Sequence, residues 1–169
     1  MANPARRQVL LLATTQALFQ TAAVMVATVG SLAGAQLTSR PELATLPIAA
    51  SFLGTALATF PASMWMARVG RRMGFIAGAL LGAFGGLVAA LGIWKESLAL
   101  LSAGTFLMGT YQAFAQFYRF AASEVAEEAF RARAISWVLA GGVVAALVGP
   151  LLANLGGPLF QPDYVGSFL

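Results

Sequence analysis

Residues Leu43–Trp94, LATLPIAASFLGTALATFPASMWMARVGRRMGFIAGALLGAFGGLVAALGIW, decide the fold. Their charges all lie in one tight turn, Ala67-Arg68-Val69-Gly70-Arg71-Arg72. On either side stand charge-free stretches, Leu43–Ala67 and Met73–Trp94, each long enough to cross a hydrocarbon core, which takes roughly 20 apolar residues in a helix. Two bilayer-length stretches joined by so short a loop must be antiparallel membrane helices.

The rest of the chain repeats the pattern. Ten basic and six acidic residues bracket five charge-free runs, 8–39, 43–67, 73–94, 97–118 and 134–162. The composition is 59% apolar and 9% charged, far from the roughly 25% charged residues of a soluble domain. Backbone groups in lipid must be bonded within the segment, so the runs are read as helices. The short alternating strands of a membrane barrel are not seen. The expected architecture is an all-α polytopic bundle forming a single transmembrane domain over residues 1–169. Its spans fall at about 8–34, 44–66, 73–94, 97–122 and 134–155, and a sixth helix begins near Tyr164. Pro61 falls inside the second span, where it should bend the helix. Arg6 and Arg7 precede the first run as in a signal peptide, but the run is nearly twice the length of a signal h-region and carries Gln16 and Gln20, so we expect it to be retained.

Basic residues accumulate on the cytoplasmic side. With the N-terminus inside, Arg6, Arg7, Arg68, Arg71, Arg72, Arg131 and Arg133 face the cytoplasm, and only Arg40 and Lys95 face out. This distribution accounts for the net charge of +4 without nucleic acid as a partner. The expected partner is the lipid bilayer, with Trp65, Trp94 and Trp137 as interfacial anchors near span ends. The chain has no cysteine and no histidine, which excludes disulfides, thiolate chemistry and histidine-based metal sites or triads. No span carries a carboxylate in its middle, so the groups for acid–base or nucleophilic catalysis are missing. We expect neither an enzyme nor a cofactor, and a proton-coupling group would have to lie elsewhere.

Small residues recur every fourth position at Gly74, Gly78, Gly82 and Gly86, and again at Gly141, Ala145, Gly149 and Ala153, which marks faces for close helix packing. Large polar groups concentrate in two spans. Gln16 and Gln20 lie one turn apart in the first, with Thr14, Thr21 and Thr28 around them. Gln112, Gln116 and Arg119 form a stripe in the fourth, flanked by Tyr111 and Tyr118. Polar groups inside a membrane tend to face protein or water, so these five are the candidate substrate-path residues, with the third span peripheral. Glutamines bonding neighbouring helices, and an Arg119 that snorkels or pairs with Glu124, are the plainer readings. Glu124 could also reach the basic turn and hold the second, third and fourth spans together. Glu127 and Glu128 read as a solvated turn.

With these residues in view, the chain resembles the major facilitator superfamily of secondary transporters. That family's turn between the second and third helices reads Gly-x-x-x-Asp-Arg-x-Gly-Arg-Arg/Lys. This chain matches it at Arg68, Gly70, Arg71 and Arg72, and departs with Ser63 for the Gly and Ala67 for the Asp. Glu124 occupies the place of a frequent acidic residue at the end of the fourth helix. Gly104-Thr105-Phe106 stands where the family often has an arginine. Gly141, Gly142, Gly149 and Pro150 resemble the glycine-rich stretch of the antiporter branch, while Asn154 replaces a small residue and Gly156 and Gly157 follow late. The resemblance implies two six-helix halves rocking about a midplane site in alternating access, with the first and fourth helices lining the cavity as counterparts in two three-helix repeats. It also implies a cytoplasmic gate at Arg68, Gly70, Arg71, Arg72 and Glu124; the expected helix-packing residues are Gly78, Gly82 and Gly86, from their spacing, with Gly149 and Pro150.

Five spans and the start of a sixth make one such half. The expectation is the N-terminal half of a transporter of an unspecified small solute in a bacterial inner membrane, completed by a C-terminal half or a second copy. The alternative from a different class is a non-transporting scaffold or assembly subunit that uses its glycine faces to bind partner helices.

Overall fold

The computed structural model describes residues 4–126, 128–156 and 168. The described residues form six α-helices: α1 (Pro4–Gln36), α2 (Leu46–Val69), α3 (Arg71–Trp94), α4 (Leu98–Ala115), α5 (Tyr118–Val125) and α6 (Arg131–Gly156). Short 3-10 turns at Pro41–Leu43 and Glu128–Phe130 precede α2 and α6. Among the described residues there is no strand, and five segments are long and apolar enough to cross a membrane. The all-α bundle is as expected. Glu127, Pro158, Pro162 and, Phe168 apart, the start of a sixth helix at Tyr164–Leu169 lie outside the described residues.

The decisive turn is tighter than its sequence suggested. Val69 ends α2 and Arg71 begins α3, so Gly70 alone joins them, at φ +88° and ψ 159°. Side chains are disfavoured in that backbone region. At the opposite end α3 gives way to α4 through Lys95-Glu96-Ser97. Glu96 takes a positive φ of 51° there, and the Ser97 hydroxyl accepts from the Leu100 N–H.

The fourth span departs from the expected unbroken helix over 97–122. At its end the Phe117 N–H bonds the Phe114 carbonyl, a tight three-residue turn, before the Phe117 carbonyl accepts from Ala121 and α5 begins. The break re-aims the bulky residues that follow. Tyr118 turns into the core, 2% exposed and 4.6 Å from the Phe75 ring, while Phe120 stays exposed.

Two closely packed groups result. The tightest helix pairs are α3 with α4, α2 with α4 and α1 with α6, while α1 meets α2 and α4 more loosely. Backbones approach within the first group because glycines on each helix face the backbone of the next. A Cβ added at Gly54 would meet the Phe106 carbonyl, one at Gly109 the Ser51 carbonyl, and one at Gly104 the backbone of Ala89. Along α3, Gly74 lies against Met66, Gly78 against Phe114 and Gly82 against Tyr111, and Gly86 faces the Phe168 carbonyl. In the second group Gly141 seats on Ala13 and Ala17 of α1, and Gly149 on Val24. Pro150 follows inside α6 and is half-buried. Both glycine faces are thus filled within the chain, which removes the surface that the scaffold alternative required. The pairings α1–α6 and α2–α4 are also those expected of two repeats in which α1 corresponds to α4 and α2 to α6.

The core is divided. One cluster, around Val26, Val29, Ala90, Ile93 and Leu101, sits toward the Lys95 end. Two others, around Val9, Tyr118, Ala122 and Val138 and around Ala62, Met66 and Phe114, sit toward the Arg71 end. Outward faces carry exposed leucine, valine and phenylalanine, including Phe60, Leu80, Leu147 and Leu155, as a lipid-facing surface requires. Trp65, Trp94 and Trp137 are all partly exposed near helix ends.

Candidate functional site

A cavity of about 330 Å³ lies along the seam between the two groups. Its wall is built by Gln16, Phe19, Gln20 and Ala23 of α1, by Gln112 of α4, by Gln116 and Arg119 around the helix break, and by Val138 and Leu139 of α6. The five polar residues singled out from sequence therefore line one space. None of the residues lining it belongs to α3, and none is acidic. Thr14, Thr21 and Thr28 are not among them: their hydroxyls bond the carbonyls of Leu11, Ala17 and Val24 within α1.

Gln112 has a second attachment. Its Nε2 donates to Ser51 Oγ at 3.4 Å, and its Oε1 lies 3.4 Å from Thr55 Oγ1, which donates to the Gly109 carbonyl at 2.9 Å. The amide both faces the cavity and ties α2 to α4. Ser51 and Thr55 were not singled out from sequence, although their spacing of four, with Gly54 between them, marks one face of α2. Arg119 does not pair with Glu124. It lies in the cavity wall with its guanidinium 5.1 Å from the Phe120 ring centroid.

Glu124 instead takes Arg71 in a two-point ion pair, Nη2 to Oε1 at 2.6 Å and Nε to Oε2 at 3.2 Å. The Arg71 guanidinium also lies 5.5 Å from the Phe117 ring centroid. Two arginines at the start of α3 oppose the helix dipole, and the Glu124 carboxylate offsets that charge. The pair borders a separate end cavity of about 440 Å³, lined by Ser63, Met66, Ala67, Arg71, Phe117, Phe120, Ser123 and Glu124. Ala67, where the resemblance would place an aspartate, lines this cavity without a charge. The short α5 thus separates two hollows, with Arg119 toward one and Phe120, Ser123 and Glu124 toward the other. No group of three or more potential metal ligands occurs among the described residues.

Membrane-length helices around a polar cavity of about 330 Å³ mark an integral membrane protein, and the comparisons give its family. The chain belongs to the Major Facilitator Superfamily, whose family model matches residues 10–167. It is 45% identical to the riboflavin transporter RfnT of Brucella anthropi over 99% of its own length and 42% of that protein. It is 30% identical to the uncharacterized MFS-type transporter YddS of Bacillus subtilis over 84% of its length and 34% of that protein, and 29% identical to YdeG of the same organism over the same shares. The chain therefore spans well under half the length of the curated relatives it matches. No solved structure gives a significant match.

Proposed function

We propose that this chain forms the N-terminal half of a bacterial inner-membrane carrier that moves riboflavin or a similar flat, uncharged heterocycle by alternating access. The observation that carries the reading is the convergence of Gln16, Gln20, Gln112, Gln116 and Arg119 on one cavity at a seam between helix groups. Primary amides both donate and accept hydrogen bonds, and suit the carbonyls and ring nitrogens of such a solute. The 45% identity to a riboflavin transporter supports the choice of solute. A C-terminal half closes the other side of the cavity, the N-terminus lies in the cytoplasm, and the Arg71–Glu124 pair belongs to the cytoplasmic gate together with Arg68, Gly70 and Arg72.

The test is riboflavin uptake by the complete carrier in proteoliposomes. Saturable uptake is expected, and a correctly inserted carrier that moves no riboflavin would sink the choice of solute. A cysteine placed at Gln116 should react with a water-soluble thiol reagent, and riboflavin should slow that reaction.

A further inference from the structure

A second cavity of about 250 Å³ adjoins the first and shares Gln20, Ala23 and Gln112 with it. The two make one trough with unlike ends. Along α1 its wall runs from Gln16 to Ala27, about 16 Å at 1.5 Å per residue. One end gathers Gln16, Gln116 and Arg119. The other is walled by Val24, Val26, Ala27, Ile48 and Phe52, and its hydroxyl, Ser51, accepts from the Gln112 amide. Phe52 is 69% exposed, so its ring stands at the wall of the trough instead of filling the core. In the wall of the first cavity, Phe19 is held edge-to-face by Tyr111 at 5.4 Å. No residue lining either cavity is acidic.

We infer that the trough binds its solute lengthwise and in one orientation, as a flat heteroaromatic whose imide edge meets Gln16, Gln116 and Arg119 and whose hydrocarbon edge meets Ile48 and Phe52. Ile48 and Phe52 are then specificity-determining residues. The inference rests on the flavin reading above and adds the direction in which the ring lies. An imide presents carbonyl, N–H and carbonyl in a row. Glutamine amides can answer both kinds of group, whereas arginine donates only and so favours a carbonyl. At the far end, apolar walls gain by removing ring carbon from water. The reversed pose would set the carbonyls against the apolar walls at Ile48 and Phe52 and forgo the donors at Gln16, Gln116 and Arg119, which is unfavourable. A cationic solute would face Arg119 with no carboxylate to balance it.

The experiment measures equilibrium binding to the complete, purified carrier by quenching of flavin fluorescence. Three ligands are compared: riboflavin, riboflavin lacking both ring methyl groups, and riboflavin methylated at the imide nitrogen. The unaltered carrier should prefer riboflavin to both analogues. Phe52→Ala should weaken riboflavin roughly three- to tenfold and erase the preference over the demethylated analogue, leaving the penalty on the imide-methylated one. Gln116→Leu should do the converse. Because Phe52 is largely exposed, its truncation leaves the core intact. If the two variants exchange these effects, the ring lies the other way and the inference is overturned. It is equally overturned if Phe52→Ala leaves riboflavin binding within twofold. A carrier that binds none of the three flavins defeats the choice of solute instead.

Discussion

In the proposed gate, the Arg71–Glu124 pair should matter to transport without mattering much to stability. Its two-point geometry is good, but the side chains are 36% and 51% exposed, and exposed pairs contribute about 0–1 kcal/mol. Arg71→Ala should therefore leave the melting temperature in detergent almost unchanged while lowering riboflavin uptake by the complete carrier roughly five- to tenfold, on the scale of a typical coupling energy. Exchanging the charges, with Arg71→Glu and Glu124→Arg together, should restore part of the uptake. Gly70 behaves differently. An added Cβ there meets nothing within 4 Å, so the penalty of Gly70→Ala is purely conformational, about 1–3 kcal/mol, and should appear as a lowered melting temperature. The sequence revealed the basic turn and its glycine because charge and Gly interrupt apolar runs so plainly. It offered two partners for Glu124, Arg119 and the basic turn. The choice depended on where α5 points, which sequence spacing on an unbroken helix could not show.

At the scale of elements, the helix contacts rest on missing side chains. At Gly104 a Cβ would overlap the backbone of Ala89, and neither helix can yield locally. Gly104→Val should cost about 1–3 kcal/mol and reduce the yield of folded protein, whereas the same change at Gly142, with only the Gln20 side chain within 4 Å, should be tolerated. Gln112→Leu removes the bonds to Ser51 and Thr55, and a loss near 0.6–1.7 kcal/mol in thermal unfolding is expected from intramembrane hydrogen bonds. The fourfold spacing of glycines on α3 and α6 was legible because helix geometry alone puts such residues on one face. The break after Ala115 was not, because neither Gly nor Pro marks it. Ser51 and Thr55 escaped notice for a related reason: small hydroxyls in apolar helices commonly bond their own backbone, as Thr59 does to Thr55, and only the partner helix distinguishes the exceptions.

For the whole molecule, the two sides of the bilayer give the simplest check. With the N-terminus inside, a cysteine at Arg133 should be labelled by an impermeant reagent only from the cytoplasm, and one at Lys95 only from outside. The five membrane-length helices among the described residues were readable from charge-bounded runs, because the hydrocarbon thickness sets a length that few other structures need. The assembly of α2, α3 and α4 into one group and of α1 and α6 into another was not readable, since it depends on which glycine face meets which neighbour. That grouping distributes stiffness unevenly. Backbones in direct contact have no side-chain cushion, so each group yields little, and the compliance of the chain is concentrated at the seam where the trough lies. Under the proposed carrier function, a solute settling there would press on this seam, and the blocks on either side would answer by turning as units.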